Sequence, residues 1–114
     1  MRKMCQLILT KSERGMLTFE KVLNVFSDYL QQDPLYEVVL TSHGYTLMAW
    51  EPERNEWYQA ELMETPEMLL DALLDAYAGF LEDQMTENDR ELNPSEEAEI
   101  KTMCKILQEQ CQSS

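Results

Sequence analysis

The sequence predicts an α+β domain, a short antiparallel three-stranded meander packed against helices in the order α-α-β-β-β-α-α. Three observations predict it. Apolar residues recur at helical spacing over residues 18–30 and 65–85. Between them, residues 35–63 change to a period of two, interrupted by two turn sequences. A proline-led helix start then reappears at Asn93-Pro94. A chain of 114 residues forms one domain with a modest core, to which dimerisation would readily add buried area. Residues 1–92 read as the α+β core domain. Residues 93–114 read as an amphipathic helix packed on that core or on a second subunit, which makes a homodimer an open expectation.

At the N-terminus, Met4, Leu7 and Ile8 can share one face of a helix over residues 2–13, with Gly15 beyond its end. A strand over residues 5–10 competes with that reading. Arg2, Lys3, Lys11 and Arg14 form either a solvated face or a basic set that docks on this chain's own acidic parts. Thr18 caps the next helix, whose Phe19, Val22, Leu23, Phe26, Tyr29 and Leu30 lie on one side. Asp33-Pro34 ends it, because the residue before a proline is pushed out of the α region.

Strands follow over residues 35–41, 45–51 and 57–63. In the first, Tyr36, Val38 and Leu40 alternate with Glu37, Val39 and Thr41; in the second, Tyr45, Leu47 and Ala49 alternate with Thr46, Met48 and Trp50. Ser42-His43-Gly44 reverses the chain, with Gly44 taking any positive φ. Residues 51–56 make the longer second turn. In the third strand Tyr58, Ala60 and Leu62 are expected to face inward.

The helix over residues 65–85 is the element around which the chain is organised. Thr65 is its cap and Pro66 its first residue, where a missing N–H costs nothing. Leu69, Leu70, Leu73, Leu74, Tyr77, Phe80, Leu81 and Met85 make its apolar face, while Glu67, Asp71, Asp75 and Glu82 fall together on the back. Residues 86–92 are polar and without period, a loop. Asn93, Pro94 and Glu96 then form a capping box, and Ile100, Met103, Cys104, Leu107 and Cys111 make one apolar seam.

The net charge is −13, and it is unevenly distributed. Residues 1–33 carry +1, whereas residues 64–85 carry −6 from acids alone. A field of this sign opposes direct contact with nucleic acid or an anionic membrane. No run approaches the length of a membrane span, and Leu7-Ile8-Leu9 is too short for a signal peptide core. Three widely spaced cysteines, Cys5, Cys104 and Cys111, read as reduced thiols in a cytoplasmic protein.

Chemistry that would mark an enzyme is hard to assemble from these residues. The single histidine, His43, lies in a turn with no cysteine near it in sequence. Cys104 and Cys111 are two helical turns apart, too far for joint zinc ligation. Asp71 and Asp75 could share a cation, but a hydrated surface pair is the ordinary outcome for neighbouring acids. There is no glycine-rich phosphate loop, and no cofactor is implied. The expectation is therefore a noncatalytic acidic protein-binding module, an accessory, adaptor or inhibitor that engages a basic protein surface. Its candidate partner-binding residues are Trp57, Glu53, Glu67, Asp71, Asp75 and Glu82. Trp50 and Trp57 flank one turn and can pair across strands, with Trp50 packed and Trp57 within reach of a partner. The alternatives are a structural or self-associating domain whose acidity serves solubility and, less favoured, a small ligand carrier or enzyme.

Overall fold

The computed structural model describes residues 17–112. It is an α+β fold in which a three-stranded antiparallel sheet packs against helices, in the order α-α-β-β-β-α-α. The elements are α1 (Phe19–Val25), α2 (Ser27–Gln32), β1 (Tyr36–Thr41), β2 (Gly44–Glu51), β3 (Glu56–Leu62), α3 (Pro66–Thr86) and α4 (Pro94–Gln112). The helix or strand expected within residues 2–13, and Cys5 with it, lies outside the described residues. The two helices before the sheet are instead the two halves of the helix expected over 18–32.

The split falls at Phe26, whose φ of −93° and ψ of 7° flatten the helix for one residue. Beside it the Ser27 hydroxyl donates to the Asn24 carbonyl oxygen (2.9 Å), a back-bond of the kind that bends helices. Backbone bonding still crosses the break, from Phe26 N–H to the Val22 oxygen (3.0 Å) and from Leu30 N–H to the Phe26 oxygen (2.9 Å). Both α1 and α2 therefore keep presenting one apolar side to the core. Thr18 caps α1 by accepting from Lys21 N–H (3.0 Å), as its position before Phe19 predicts.

The core lies between the sheet and the helices. Val22, Phe26 and Tyr29 from the α1–α2 arm meet Leu47 of β2, Met63 just after β3, Leu69, Leu70 and Leu73 of α3, and Cys111 of α4. Phe26, Tyr29, Tyr77 and Phe80 form a chain of edge-to-face rings at centroid separations of 5.3–6.4 Å. Helix α4 packs on α3 and α1, so its seam closes the core of its own chain.

The sheet runs β1-β2-β3. Tyr36, Val38 and Leu40 stand opposite Ala49, Leu47 and Tyr45; Tyr36 and Val38 pack on the core, whereas Leu40, at the end of β1, is 68% exposed. Phe19 of α1 stacks on Tyr45 at 4.8 Å, and the Tyr45 hydroxyl donates to Glu20 Oε2 (3.2 Å). At the first reversal Gly44 has φ of +128°, a region that L side chains rarely adopt. Thr41 Oγ1 closes that turn, accepting from His43 N–H (3.1 Å) and donating to the Gly44 oxygen (3.1 Å).

The third strand departs from expectation. Tyr58, Ala60 and Leu62 do not face inward; all seven residues of β3 are exposed. The physical reason is Met63, which is 3% exposed in the core and sets the alternation of the strand running up to it. Counting back from Met63, Glu61 and Gln59 fall on the helix side, opposite Leu47 and Ala49, while Leu62 and Ala60 fall on the outer face, opposite Thr46 and Met48. A bulge then leaves Tyr58 unpaired between Ala49 and Trp50. Since Glu61 and Gln59 remain exposed on the helix side, the helical layer covers β2 and the start of β1 and stops short of β3.

Between α3 and α4 the capping box forms as its sequence predicts. Asn93 Oδ1 accepts from Glu96 N–H (2.8 Å) and Glu96 Oε1 accepts from Asn93 N–H (3.1 Å). Arg90 adds a two-point clamp on Glu96, Nη1 to Oε1 at 2.8 Å and Nη2 to Oε2 at 2.7 Å, and also donates to the Met85 oxygen (2.9 Å). The Arg90 bond first, and the Asn93 N–H second, hold the Glu96 carboxyl down at about 2 from its usual 4.5. A depressed carboxyl pKa adds stability above the unfolded value and loses it as pH falls through the folded one. Glu96→Gln should therefore be less stable than the parent at pH 7, with the gap closing between pH 4.5 and 2. Solvent around this exposed clamp keeps the gap small. Parallel melts across that pH range test it, and a gap that persisted undiminished at pH 2 would contradict the role of the charge.

Candidate functional site

The six candidate residues fall into two groups on different elements. Trp57 and Glu53 belong to the hairpin of β2 and β3; Glu67, Asp71, Asp75 and Glu82 belong to α3. Among the described residues no hydrogen bond or ion pair joins the groups, and the hairpin group is the one associated with exposed aromatic surface.

At the hairpin Trp50 and Trp57 stand directly opposite each other, and their rings meet edge to face at 4.9 Å and 74°. Pairing across the strands was legible in their position at either end of one turn. Trp50 is half-buried, whereas Trp57 is 40% exposed. Neither ring lies under a helix, because both are on the face of the sheet opposite Leu47 and Ala49. Tyr58, at the bulge, is 56% exposed and Leu62 is 39% exposed. The turn between the strands is closed by Asn55 N–H donating to the Pro52 oxygen (3.3 Å), with Asn55 at φ of +56°. Glu53 is exposed there and donates its N–H to Glu51 Oε2 (3.4 Å). Glu51, Glu53, Arg54 and Tyr58 border a depression of about 350 Å³, but Glu53, Arg54 and Tyr58 are all exposed, so it is an open surface. Sequence reasoning did not single out Glu61 as part of this surface. The alternation Gln59-Ala60-Glu61-Leu62 was the available signal, once read backward from Met63.

On α3, Thr65 accepts from Met68 N–H (3.1 Å) and fixes the helix start, leaving Glu67 and Asp71 exposed on its first turns. Asp75 and Asp83 border a cleft of about 130 Å³ with Asp33, Tyr36 and Gly79. That volume is well below the roughly 300 Å³ at which small-molecule pockets begin. Burial first, then Tyr58, Asp33 and Asp83, raises the Tyr36 phenol above its ordinary value, so it stays a neutral donor there. Glu82 borders a hollow of about 180 Å³ with Leu92, Glu97, Ile100 and Lys101 near the start of α4.

Groups suited to catalysis do not converge among the described residues. His43 is exposed at the tip of the first hairpin, 41–44, with only its backbone engaged. Burial and then Asp75 raise the Cys104 thiol, and burial raises Cys111, the opposite of the activation a nucleophilic thiol needs. No group of three or more His, Cys, Asp or Glu among the described residues is placed to hold a metal ion. Two grooves among the described residues, about 470 and 460 Å³, run between the α1–α2 arm and β1 and between α2, α3 and α4. Among the described residues no helix is long and apolar enough to cross a membrane.

The charge is left largely uncompensated. Four of the nine bases and one of the 22 acids precede residue 17, so the described residues hold five bases and 21 acids. They contain one ion pair, Arg90–Glu96. Comparisons of the chain with protein-family models, with curated proteins and with solved structures find no match.

Proposed function

We propose that this protein is a noncatalytic acidic binding module that engages a basic surface on another protein. The observation that carries the reading is the excess of carboxylate among the described residues, 21 acids against five bases with a single ion pair and most of the acids exposed, on a fold that also leaves Trp57 exposed. Unpaired surface acids repel one another and are relieved by a cationic partner, which also steers its approach. An exposed Trp beside them supplies the apolar contact in which binding energy concentrates. A self-associating domain is the second reading, favoured by the uncovered apolar side chains of β3, and a solution mass that rises with protein concentration would support it.

The test uses the purified chain on a solid support and an extract of its native cell. A defined basic protein should be retained and should elute as salt screens the contact. The double variant Asp71→Lys/Asp75→Lys should weaken that retention while leaving the thermal melt nearly unchanged, both residues being exposed. Trp57→Ala should likewise stay folded and lose roughly 2 kcal/mol or more of binding. Retention untouched by salt and by charge reversal would overturn the reading. A large stability loss in Trp57→Ala with unchanged affinity per folded molecule would return Trp57 to the scaffold.

A further inference from the structure

We propose that the outer edge of β3 receives an extended segment of the basic partner, which joins the sheet as a fourth strand and carries apolar and basic side chains at alternate positions. The inference rests on the acidic-module reading and specifies the form of its partner.

Strand order places β3 at an edge, and among the described residues nothing pairs with its outer side. Met63 N–H donates to the Tyr45 oxygen (2.9 Å), which fixes the direction of the ladder at this end of the strand. Alternation along an antiparallel strand then turns the N–H and C=O of Leu62 and Ala60 outward, away from β2. Exposed edges of natural sheets are blunted by lysine, proline, bulges or inward-turned charges; residues 56–62 hold no lysine or proline, and the carboxylates of Glu56 and Glu61 repel an acidic strand but not a basic one. The bulge at Tyr58 interrupts the ladder there, and residues 59–62 keep a regular register with β2.

The two faces of this edge differ in chemistry, and that difference selects the occupant. Trp57, Ala60 and Leu62 lie on the outer face, in line with Trp50 and Met48. Glu56, Gln59 and Glu61 lie on the helix side, where the helical layer stops short and long side chains have room. An added strand also alternates with a period of two. Its residues beside Trp57, Ala60 and Leu62 meet apolar surface, and those beside Glu56 and Glu61 meet carboxylate. The fitting segment therefore alternates apolar residues with Lys or Arg. A second copy of this strand fits badly, because it would set Glu56 and Glu61 against the same acids.

The probe is a nine-residue peptide of alternating valine and lysine, added to the full chain. Two controls carry the same charge: a peptide of the same composition with its lysines grouped at one end, and the alternating peptide N-methylated along its backbone. The alternating peptide should bind at least tenfold more tightly than either control and should newly protect the Ala60 and Leu62 amides from hydrogen exchange. Ala60→Pro, which removes an outward N–H but no bond to β2, should lose at least tenfold of that affinity. If this variant does not fold, the N-methylated peptide makes the same comparison on the parent chain. Equal binding of all three peptides without new protection overturns edge addition and leaves the acidic module standing. Failure of every peptide, with salt-dependent retention of a basic protein intact, has the same meaning; if retention fails as well, both readings fall. Slow exchange of Ala60 and Leu62 before any peptide is added also overturns it. If that slowing depends on concentration the occupant is a second copy, and if not it is part of this chain outside residues 17–112.

Discussion

Phe26→Ala should lower the unfolding free energy by about 3–5 kcal/mol, the usual loss when a large aromatic is truncated in a core that cannot collapse around the gap. Phe26 is fully buried and sits at the junction of α1 and α2. Its ring meets Tyr29 at 6.4 Å and Tyr77 at 6.3 Å, both edge to face, so the truncation removes area and two aromatic contacts together. Collapse is restricted because the neighbours belong to separate elements, the α1–α2 arm and α3, each fixed by its own packing. Urea unfolding monitored by circular dichroism measures the loss as a shift in midpoint at unchanged slope. A cost below about 1 kcal/mol would mean that the arm does not pack on α3 as described.

Asp33→Ala should cost about 2–4 kcal/mol, from hydrogen bonds to a charged acceptor and a buried hydroxyl left without its partner. Asp33 is 5% exposed, and both of its oxygens are used. Oδ2 accepts from the Tyr29 hydroxyl at 2.6 Å, and Oδ1 accepts from Leu35 N–H at 2.9 Å. The Leu35 carbonyl in turn accepts from Trp50 N–H at 2.8 Å, so the side chain that ends α2 also sets the residue from which the sheet begins. Burial, and then the bond and charge of Asp33, push the Tyr29 phenol well above its ordinary range, so the phenol is the donor of this bond. The companion variant Asp33→Asn retains an acceptor oxygen and should recover part of the loss. Equal stability of Asp33→Ala and the parent would show that water replaces the carboxylate, and the site would then be less buried than its geometry indicates.

The sequence by itself determined those elements whose signals are local. Thr18, Thr65 and Asn93 each place an oxygen where the first turn of a helix has unpaired N–H groups, and each does so in the structure. Pro66 and Pro94 mark the next positions, and Asp33-Pro34 the end of α2. The faces of β2 followed from period two because Leu47 and Ala49 are buried and their outer-face neighbours less so, whereas β1 keeps the alternation only to Val38, Leu40 being exposed. The apolar seam of α4 was legible for the same reason, with Ile100 and Cys111 buried as their spacing implies. For the candidate site, the pairing of Trp50 with Trp57 and the exposed acids of α3 could be read from position and spacing alone.

Only the tertiary structure decided what depends on neighbours distant in sequence. The break at Phe26 has no proline or glycine to announce it; it arises where the Ser27 hydroxyl takes the Asn24 carbonyl. The burial of Asp33 required Tyr29 and the start of the sheet to close over it, so a residue legible only as a helix stop became a hydrogen-bonded joint. The orientation of β3 was decided by Met63. Gln59, Ala60, Glu61 and Leu62 alternate polar with apolar, a pattern that by itself turns Ala60 and Leu62 inward, and the entry of Met63 into the core reverses it. That one insertion placed Leu62 and Ala60 outside with Trp57 and left Glu61 and Gln59 beside an incomplete helical layer. The outward face of Ala60 and Leu62 therefore exists because a side chain one residue beyond the strand is buried, a relation that packing sets and local sequence pattern does not.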